Sequence, residues 1–185
     1  MDQDIVPGIP NGWYAVAWSN DLAPGEVRRI YYFEEEMVLF RTRTGQARVL
    51  SAFCSHLGAH LAEGGRVVGE SIRCPFHAWH YDGASGKCVE IPYCERIPTN
   101  ARVQAWEAVE RNGMIFVWHH AEQKPSDWEV PEITQLSDPE WSEARTFEIE
   151  VPIHMQDMAE NNLDPVHFEV VHTSPSVPET EIEFA

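Results

Sequence analysis

Two short cysteine–histidine pairs, Cys54-Ser55-His56 and Cys74-Pro75-Phe76-His77, constrain this chain more than any other feature. Seventeen residues, Leu57 to Arg73, lie between them. A [2Fe–2S] cluster with two thiolates on one iron and two imidazoles on the other needs this donor set. Two loops that each supply one Cys and one His meet that need, each giving one ligand to each iron. Zinc accepts the same donors. Zinc modules, however, usually place Cys beside Cys and His beside His along the chain, whereas each loop here mixes the two. The reading is a redox protein built around a two-iron cluster, with a zinc-stabilised structural module as an alternative.

Cys54-Ser55-His56-Leu57-Gly58 and Cys74-Pro75-Phe76-His77 resemble the two cluster loops of the Rieske family. The resemblance implies a [2Fe–2S] cofactor held by Cys54, His56, Cys74 and His77. It also implies a mainly β fold, a Rieske-type antiparallel β domain followed by the start of an α+β catalytic domain. Rieske proteins of respiratory complexes carry an extra Cys in each loop, joined as a disulfide; the matching positions here are Ala59 and Phe76. Those proteins also place a Ser two residues after the second His, where Trp79 stands here. Hydrogen bonds to sulfur favour the reduced, more negative cluster and raise its potential. Losing one points to the low end of the range, about −150 mV. Tyr81 is shared by both branches and does not separate them. The chain resembles the oxygenase or ferredoxin branch.

Composition narrows the partners. A formal net charge of −17 over 185 residues argues against nucleic acid and anionic membrane surfaces. Such acidity would orient a basic electron-transfer partner, or be no more than a solvated surface. Residues Met1 to Gly8 include no basic residue and no apolar run, so no signal peptide is expected there. No stretch approaches the roughly 18 consecutive apolar residues of a membrane span. A thiol-ligated cluster suggests a reducing compartment, where structural disulfides are rare. The expected location is therefore cytoplasmic, with Cys88 and Cys94 as ordinary packed thiols.

The hydrophobic pattern is mostly that of strands and turns. Trp13–Trp18, Arg28–Phe33, Glu36–Arg41 and Gln46–Leu50 read as short strands. Thr44-Gly45 and the stretch Asp82 to Gly86 read as hairpin tips. Met114–Trp118 is an apolar run short enough for a buried strand. Pro125, Pro131 and Pro139, interleaved with acids, suggest a linker or extended crossover, and the alternation from Arg145 to Val151 predicts another strand. The organisation expected is a Rieske domain with N-terminal strands over 8–120, a linker over 121–144 and the beginning of a mononuclear-iron catalytic domain over 145–185.

A second motif supports that last expectation. Asp164, His167 and His172 suggest the 2-His-1-carboxylate site of non-heme Fe(II) oxygenases. Asp164 and His167, three apart, would share a helix face. His167 and His172 lie about 140° apart on an ideal helix, so both reach one metal only if the chain leaves the helix between them. The run Asn161-x-x-Asp164-x-x-His167-x4-His172 resembles the mononuclear iron motif of Rieske oxygenase α-subunits. That resemblance implies Fe(II) on His167 and His172. It implies that Asp164 links across a subunit boundary to a cluster-ligating His such as His77, within a homotrimer. Asn161 would hydrogen-bond near the metal. The family's third ligand, an acidic residue, comes from later in the catalytic domain. No position here is assignable to it, although Glu179, Glu181 and Glu183 carry carboxylates. The expectation is a truncated chain, with a natural short form as the alternative.

Further stretches narrow the branch. Cys74-Pro75-Phe76-His77-x-Trp79, Gly86-Lys87-Cys88-x-x-Ile91-Pro92-Tyr93 and Phe116-Val117-Trp118-His119 resemble the steroid-acting Rieske oxygenases, the 3-ketosteroid 9α-hydroxylases and sterol 7-desaturases. Trp128-Glu129-Val130-Pro131-Glu132-Ile133 adds to the likeness with the desaturases. The resemblance implies electrons from a flavin- or iron–sulfur-dependent reductase, or a ferredoxin. These pass through the cluster, His77 or His56, and Asp164 to the mononuclear iron, where O2 is activated for hydroxylation or desaturation of a hydrophobic, steroid-like substrate. The competing class is a Rieske ferredoxin that carries electrons and catalyses nothing; everything through about His120 fits it equally well. His60, His80, His119, His120 and His154 are left with structural or surface roles.

Overall fold

Met37-Val38-Leu39-Phe40 is an unbroken apolar run inside a strand, and all four residues are 0% exposed. Successive strand residues point to opposite faces, so a strand of this kind has to be covered on both sides. In the computed structural model, which describes residues 8–179, that is what happens. Met37 and Leu39 face one core with Val16, Val49, Ile115 and Val117. Val38 and Phe40 face another with Leu50, Ile72, Tyr81 and Trp79.

The strands in order are β1 (Gly12–Trp18), β2 (Val27–Tyr32), β3 (Glu35–Arg41), β4 (Ala47–Ser51), β5 (Arg66–Val68), β6 (Ser71–Arg73), β7 (His80–Asp82), β8 (Cys88–Glu90), β9 (Ala105–Trp106), β10 (Ala108–Arg111) and β11 (Met114–His119). They form three sheets, β1-β11-β10, β2-β3-β4-β9 and β5-β6-β7-β8, and every pairing is antiparallel. The β2-β3-β4-β9 sheet supplies residues to both cores; each of the others supplies one. The strands and hairpin tips expected up to Trp118 are present, with ends shifted by a residue or so. The tip between β7 and β8 needs its glycine. Gly86 has φ +68°, and a Cβ there would lie 2.1 Å from the Val103 carbonyl oxygen.

Two contacts fix the edges of this unit. The turn joining β2 to β3 holds Phe33 and Glu34 at φ 55° and 61°, a left-handed conformation that costs non-glycine residues about 1–2 kcal/mol each. Phe33 is pinned there by rings on three sides, with centroids 4.4 Å from His119, 4.9 Å from Tyr14 and 5.5 Å from Trp106. At the other end of β3, buried Arg41 spends its guanidinium on the carbonyls of Leu22, Gly45 and Ser19 and on both oxygens of Glu110 at 2.8 Å. This ties β3 to β10 across the core.

Past β11 the chain turns at His120–Gln123, forms no further strand among the described residues, and folds back on its own unit before a short 3-10 turn at Thr134–Leu136. Trp13 Nε1–H donates to the Trp128 carbonyl at 2.8 Å, Trp118 Nε1–H to the Lys124 carbonyl at 2.9 Å, and Asn112 Nδ2–H to the Pro131 carbonyl at 2.9 Å. The chain divides into two compact units at Trp141/Ser142. In the second, the strand expected over Arg145–Val151 is not formed. Phe147 is 81% exposed and Ile149 70%. Alternation marks a strand's two faces but supplies no partner for its backbone N–H and C=O groups, and among the described residues no strand pairs with it. The regular elements there are α1 (Met155–Leu163) and α2 (Val166–Val170). Among the described residues no helix is long and apolar enough to cross a membrane. All four cysteines are free. Cys88 is packed as expected, but Cys94 is exposed, because it follows Pro92 in a surface turn.

The Arg41–Glu110 clamp makes a pH-dependent prediction. Hydrogen bonds from Arg41 hold the Glu110 carboxyl below its ordinary value of 4.5. A lowered folded-state pKa contributes stability that is complete above the unfolded value and lost as pH falls through the folded one. Glu110→Gln is expected to cost about 1.5–3 kcal/mol at pH 7, measured by chemical denaturation, and the deficit against wild type should shrink below about pH 4.5.

Candidate metal centres

The two Cys–His loops are built on one plan. In the first, between β4 and β5, Cys54 N–H donates to the Ala59 carbonyl at 2.9 Å and Gly58 N–H donates to the Cys54 carbonyl at 2.9 Å. In the second, between β6 and β7, Cys74 N–H donates to the Trp79 carbonyl at 2.8 Å and Ala78 N–H to the Cys74 carbonyl at 3.2 Å. Each bracket closes on a left-handed residue, Gly58 at φ 72° and Ala78 at φ 57°. Gly58 suits that conformation and Ala78 does not. Ala59 and Trp79 are thus equivalent positions in the two loops, a correspondence that the unequal spacings C-x-H and C-x-x-H conceal.

The brackets bring the four donors together. Cys54 and Cys74 are buried, and near enough to one another that, after burial, Cys54 helps raise the Cys74 thiol pKa. Burial pushes the Cys74 thiol up, while the amides of Phe76 and His77 donate to its sulfur and act the other way. The rings of His56 and His77 stand 4.8 Å apart at 71°. Nδ1 of each ring is buried without a hydrogen-bond partner. Leaving such an atom dry and unpaired costs about 1–3 kcal/mol, a cost removed when a metal takes its lone pair. Two converging sulfurs and two orphaned imidazole nitrogens therefore fit a two-iron cluster. Among the described residues no three Cys, His, Asp or Glu side chains are placed to hold one metal ion. Tyr81 Oη lies 3.1 Å from Cys54 Sγ and 3.0 Å from Ser55 Oγ. Burial raises the Tyr81 pKa, so the hydroxyl keeps its proton and can donate it to sulfur. Trp79 presents a flat wall, its ring 4.5 Å from that of His56 and tilted by only 7°. Neither the Ser55 contact nor the Trp79 stack was legible from spacing, since the first joins a loop to β7 and the second joins the two loops.

The second motif is also assembled locally. Asp164 and His167 do not lie on one continuous helix. α1 ends at Leu163, and α2 starts after Pro165, whose ring disfavours helical geometry in the residue before it. Asp164 Oδ1 accepts the Val166 N–H at 3.0 Å, and its Oδ2 lies 3.8 Å from His167 Nδ1. His167 Nδ1 lies 2.5 Å from the Asp164 carbonyl oxygen. Donation there places the proton on Nδ1 and leaves the lone pair on Nε2, which is buried and unpaired. The chain does leave the helix between the two His, as their spacing requires. α2 stops at Val170, and the rings of His167 and His172 converge to 5.3 Å. Asn161 meets this group through its backbone carbonyl, which accepts from Asp164 N–H at 3.3 Å. Glu179 is exposed, and Glu181 and Glu183 lie outside the described residues.

The remaining histidines have local partners. His60 Nε2 is 3.5 Å from Glu36 and His80 Nδ1 3.2 Å from Glu90. His119 stacks on Phe33. His120 and His154 accept backbone N–H groups from Glu122 and Gln156.

Residues 12–106 match the Rieske [2Fe-2S] domain. The chain belongs to the Rieske [2Fe–2S] family. Residues 117–184 of this Rieske protein match the 3-ketosteroid 9alpha-hydroxylase C-terminal domain. It is 40% identical over 172 residues to cholesterol 7-desaturase nvd 1 of Ciona intestinalis, covering 93% of this chain and 36% of that protein. Among solved structures it resembles dicamba monooxygenase with non-heme iron and dicamba (TM-score 0.59, 27% identity, 70% of this chain and 39% of that one). It also resembles a chain of the complex between oxygenase and ferredoxin in carbazole 1,9a-dioxygenase (TM-score 0.53, 25% identity, 60% and 29%). The chain thus spans well under half the length of these relatives.

The strained bracket is open to test. Ala78→Gly relieves the left-handed strain at the cost of a more flexible unfolded chain, for a net gain of about 0.5–1 kcal/mol. Denaturation of the metal-free protein, in which no iron holds the loop, measures that gain directly.

Proposed function

We propose that this chain belongs to the oxygenase component of a Rieske-type monooxygenase acting on a hydrophobic, sterol-like substrate, by hydroxylation or desaturation. The observation that carries the reading is the convergence of His167 and His172 beside Asp164, in a chain that also holds a complete set of cluster donors. An electron carrier has no use for the second group, which disfavours the ferredoxin alternative. The substrate class rests on likeness to the cholesterol 7-desaturase and to the 3-ketosteroid 9alpha-hydroxylase C-terminal domain.

Cys54, Cys74, His56 and His77 would hold the cluster, and His167 and His172 the mononuclear ferrous ion. When bound, the first supplies single electrons and the second supplies open positions for O2. The protein's own part is arrangement. Tyr81 keeps a proton on its hydroxyl and offers it to the Cys54 sulfur. The Asp164 carbonyl holds a proton on His167 Nδ1, so that Nε2 is the donor atom presented to metal. The Asp164 side chain is 56% exposed, with only one oxygen engaged by an amide. It can therefore accept a hydrogen bond from an imidazole such as His77 of another subunit, in the homotrimer that the reading requires. Asn161, on the last turn of α1, would hydrogen-bond near the iron. The partner is a reductase or ferredoxin that delivers electrons singly, in line with the oxygenase–ferredoxin complex among the similar structures. Four free cysteines accord with a reducing, cytoplasmic setting.

Iron, zinc and acid-labile sulfide per chain, measured on protein purified without air, test the cluster. Two irons and two sulfides from the four loop donors are expected; zinc without sulfide would end the oxygenase reading. In a protein of the relatives' full length, Asp164→Ala should leave both metals bound and abolish turnover. Retained turnover removes Asp164 from the coupling role.

A further inference from the structure

The two imidazoles of the cluster loops are not held alike. His77 meets His56 and the ring of its own neighbour Phe76, which is largely exposed. His56 lies parallel to the indole of Trp79, which comes from the other loop and is 9% exposed. Trp79 is itself tethered, because its Nε1–H donates to Tyr93 Oη at 2.9 Å. Tyr93 is 63% exposed but not loosely placed. It lies in a turn closed by the Cys94 N–H on the Ile91 carbonyl at 3.0 Å, with Ile91 buried in the core and Pro92 fixing the backbone between them. The stretch Ile91-Pro92-Tyr93, which no other part of the site uses, thus ends on the ring that covers His56.

We propose that Tyr93 and Trp79 form a brace that sets the plane of His56 and keeps water from one of its faces, so that of two half-buried imidazoles His56 is the one held by a tethered indole and His77 the one without such a brace. The inference deepens the cluster reading and rests on it. Turning His56 about its Cβ–Cγ bond would drive the ring edge into the indole, so the stack resists rotation. The Tyr93 hydroxyl keeps the indole from sliding, since an N–H at the rim of the core is costly to leave unpaired. At the matching place in the first loop stands Ala59, too small to do the same for His77. Both residues are positioning residues, acting on the site through His56.

The test uses protein carrying its cluster, with iron and sulfide counted first. Wild type without two irons and two sulfides overturns the cluster reading itself, before any variant is compared. Tyr93→Phe alters an exposed residue and removes only the acceptor; Trp79→Phe keeps a ring and loses the N–H; Trp79→Leu loses both. All three are expected to hold iron and sulfide as wild type does. Trp79→Leu should raise the midpoint potential, because water reaching His56 favours the more negative reduced state. Tyr93→Phe and Trp79→Phe should shift it the same way by less, so that the retained ring partly rescues the loss. Pulsed EPR of the reduced protein should show the nitrogen coupling of one imidazole changed and that of the other unaltered. Potentials and both couplings equal to wild type in the two Phe variants, or equal changes at both imidazoles, would overturn the brace. Should Trp79→Leu fail to fold, those two Phe variants decide the matter.

Discussion

Burying one strand on both faces organises the whole first unit. With Met37, Val38, Leu39 and Phe40 all removed from water, β3 cannot lie at a surface. Each face demands its own cover, β1 and β11 on one side and the short β5–β8 sheet on the other. The first cluster loop leaves β4, which is paired with β3. The second lies in the β6–β7 hairpin, whose Ile72 and Tyr81 share a core with Val38 and Phe40. The separation of the loops is therefore set by side chains filling one core layer. At about 25 cal/mol per Å² of apolar surface buried, this layer holds the loops in place with far more energy than any single contact within them.

The readings that came through from the sequence were those in which chemistry or periodicity leaves little choice. Two Cys–His pairs at short spacing are a demand made by metals, and Met114–Trp118 as a buried strand follows from an apolar run too short for a helix. What failed depended on partners that a local pattern does not contain. Arg145–Val151 alternates well and pairs with nothing among the described residues, and Cys94 looks like any other packable thiol until the turn after Ile91 is known. The helix break at Asp164-Pro165 was open to view in the proline. Treating Asp164 and His167 as helical neighbours overlooked what proline does to the residue before it. Trp79 was noticed for the hydroxyl it replaces and as part of a branch motif, but not for its stack on His56, because a stack between loops leaves no trace in spacing.

The two donor groups illustrate different ways of presenting an imidazole. In the cluster loops, Nδ1 of both rings is left without a partner, and the orientation comes from neighbouring rings. At the helix break, a backbone carbonyl takes Nδ1 and so selects Nε2. The two groups would thus use different nitrogens of the same residue type, decided in each case by what surrounds the ring and not by the residue's own chemistry.

The two loop brackets, Cys54–Ala59 and Cys74–Trp79, also bear on how much order a donor loop has to acquire. Each is closed by its own backbone, across a handful of residues. Ordering a residue's backbone costs about 1–2 kcal/mol, and here the hydrogen bonds of the loop itself offset part of that cost. The donors are thereby carried on short, self-limited arcs of chain, and the arrangement of one loop is fixed independently of the other.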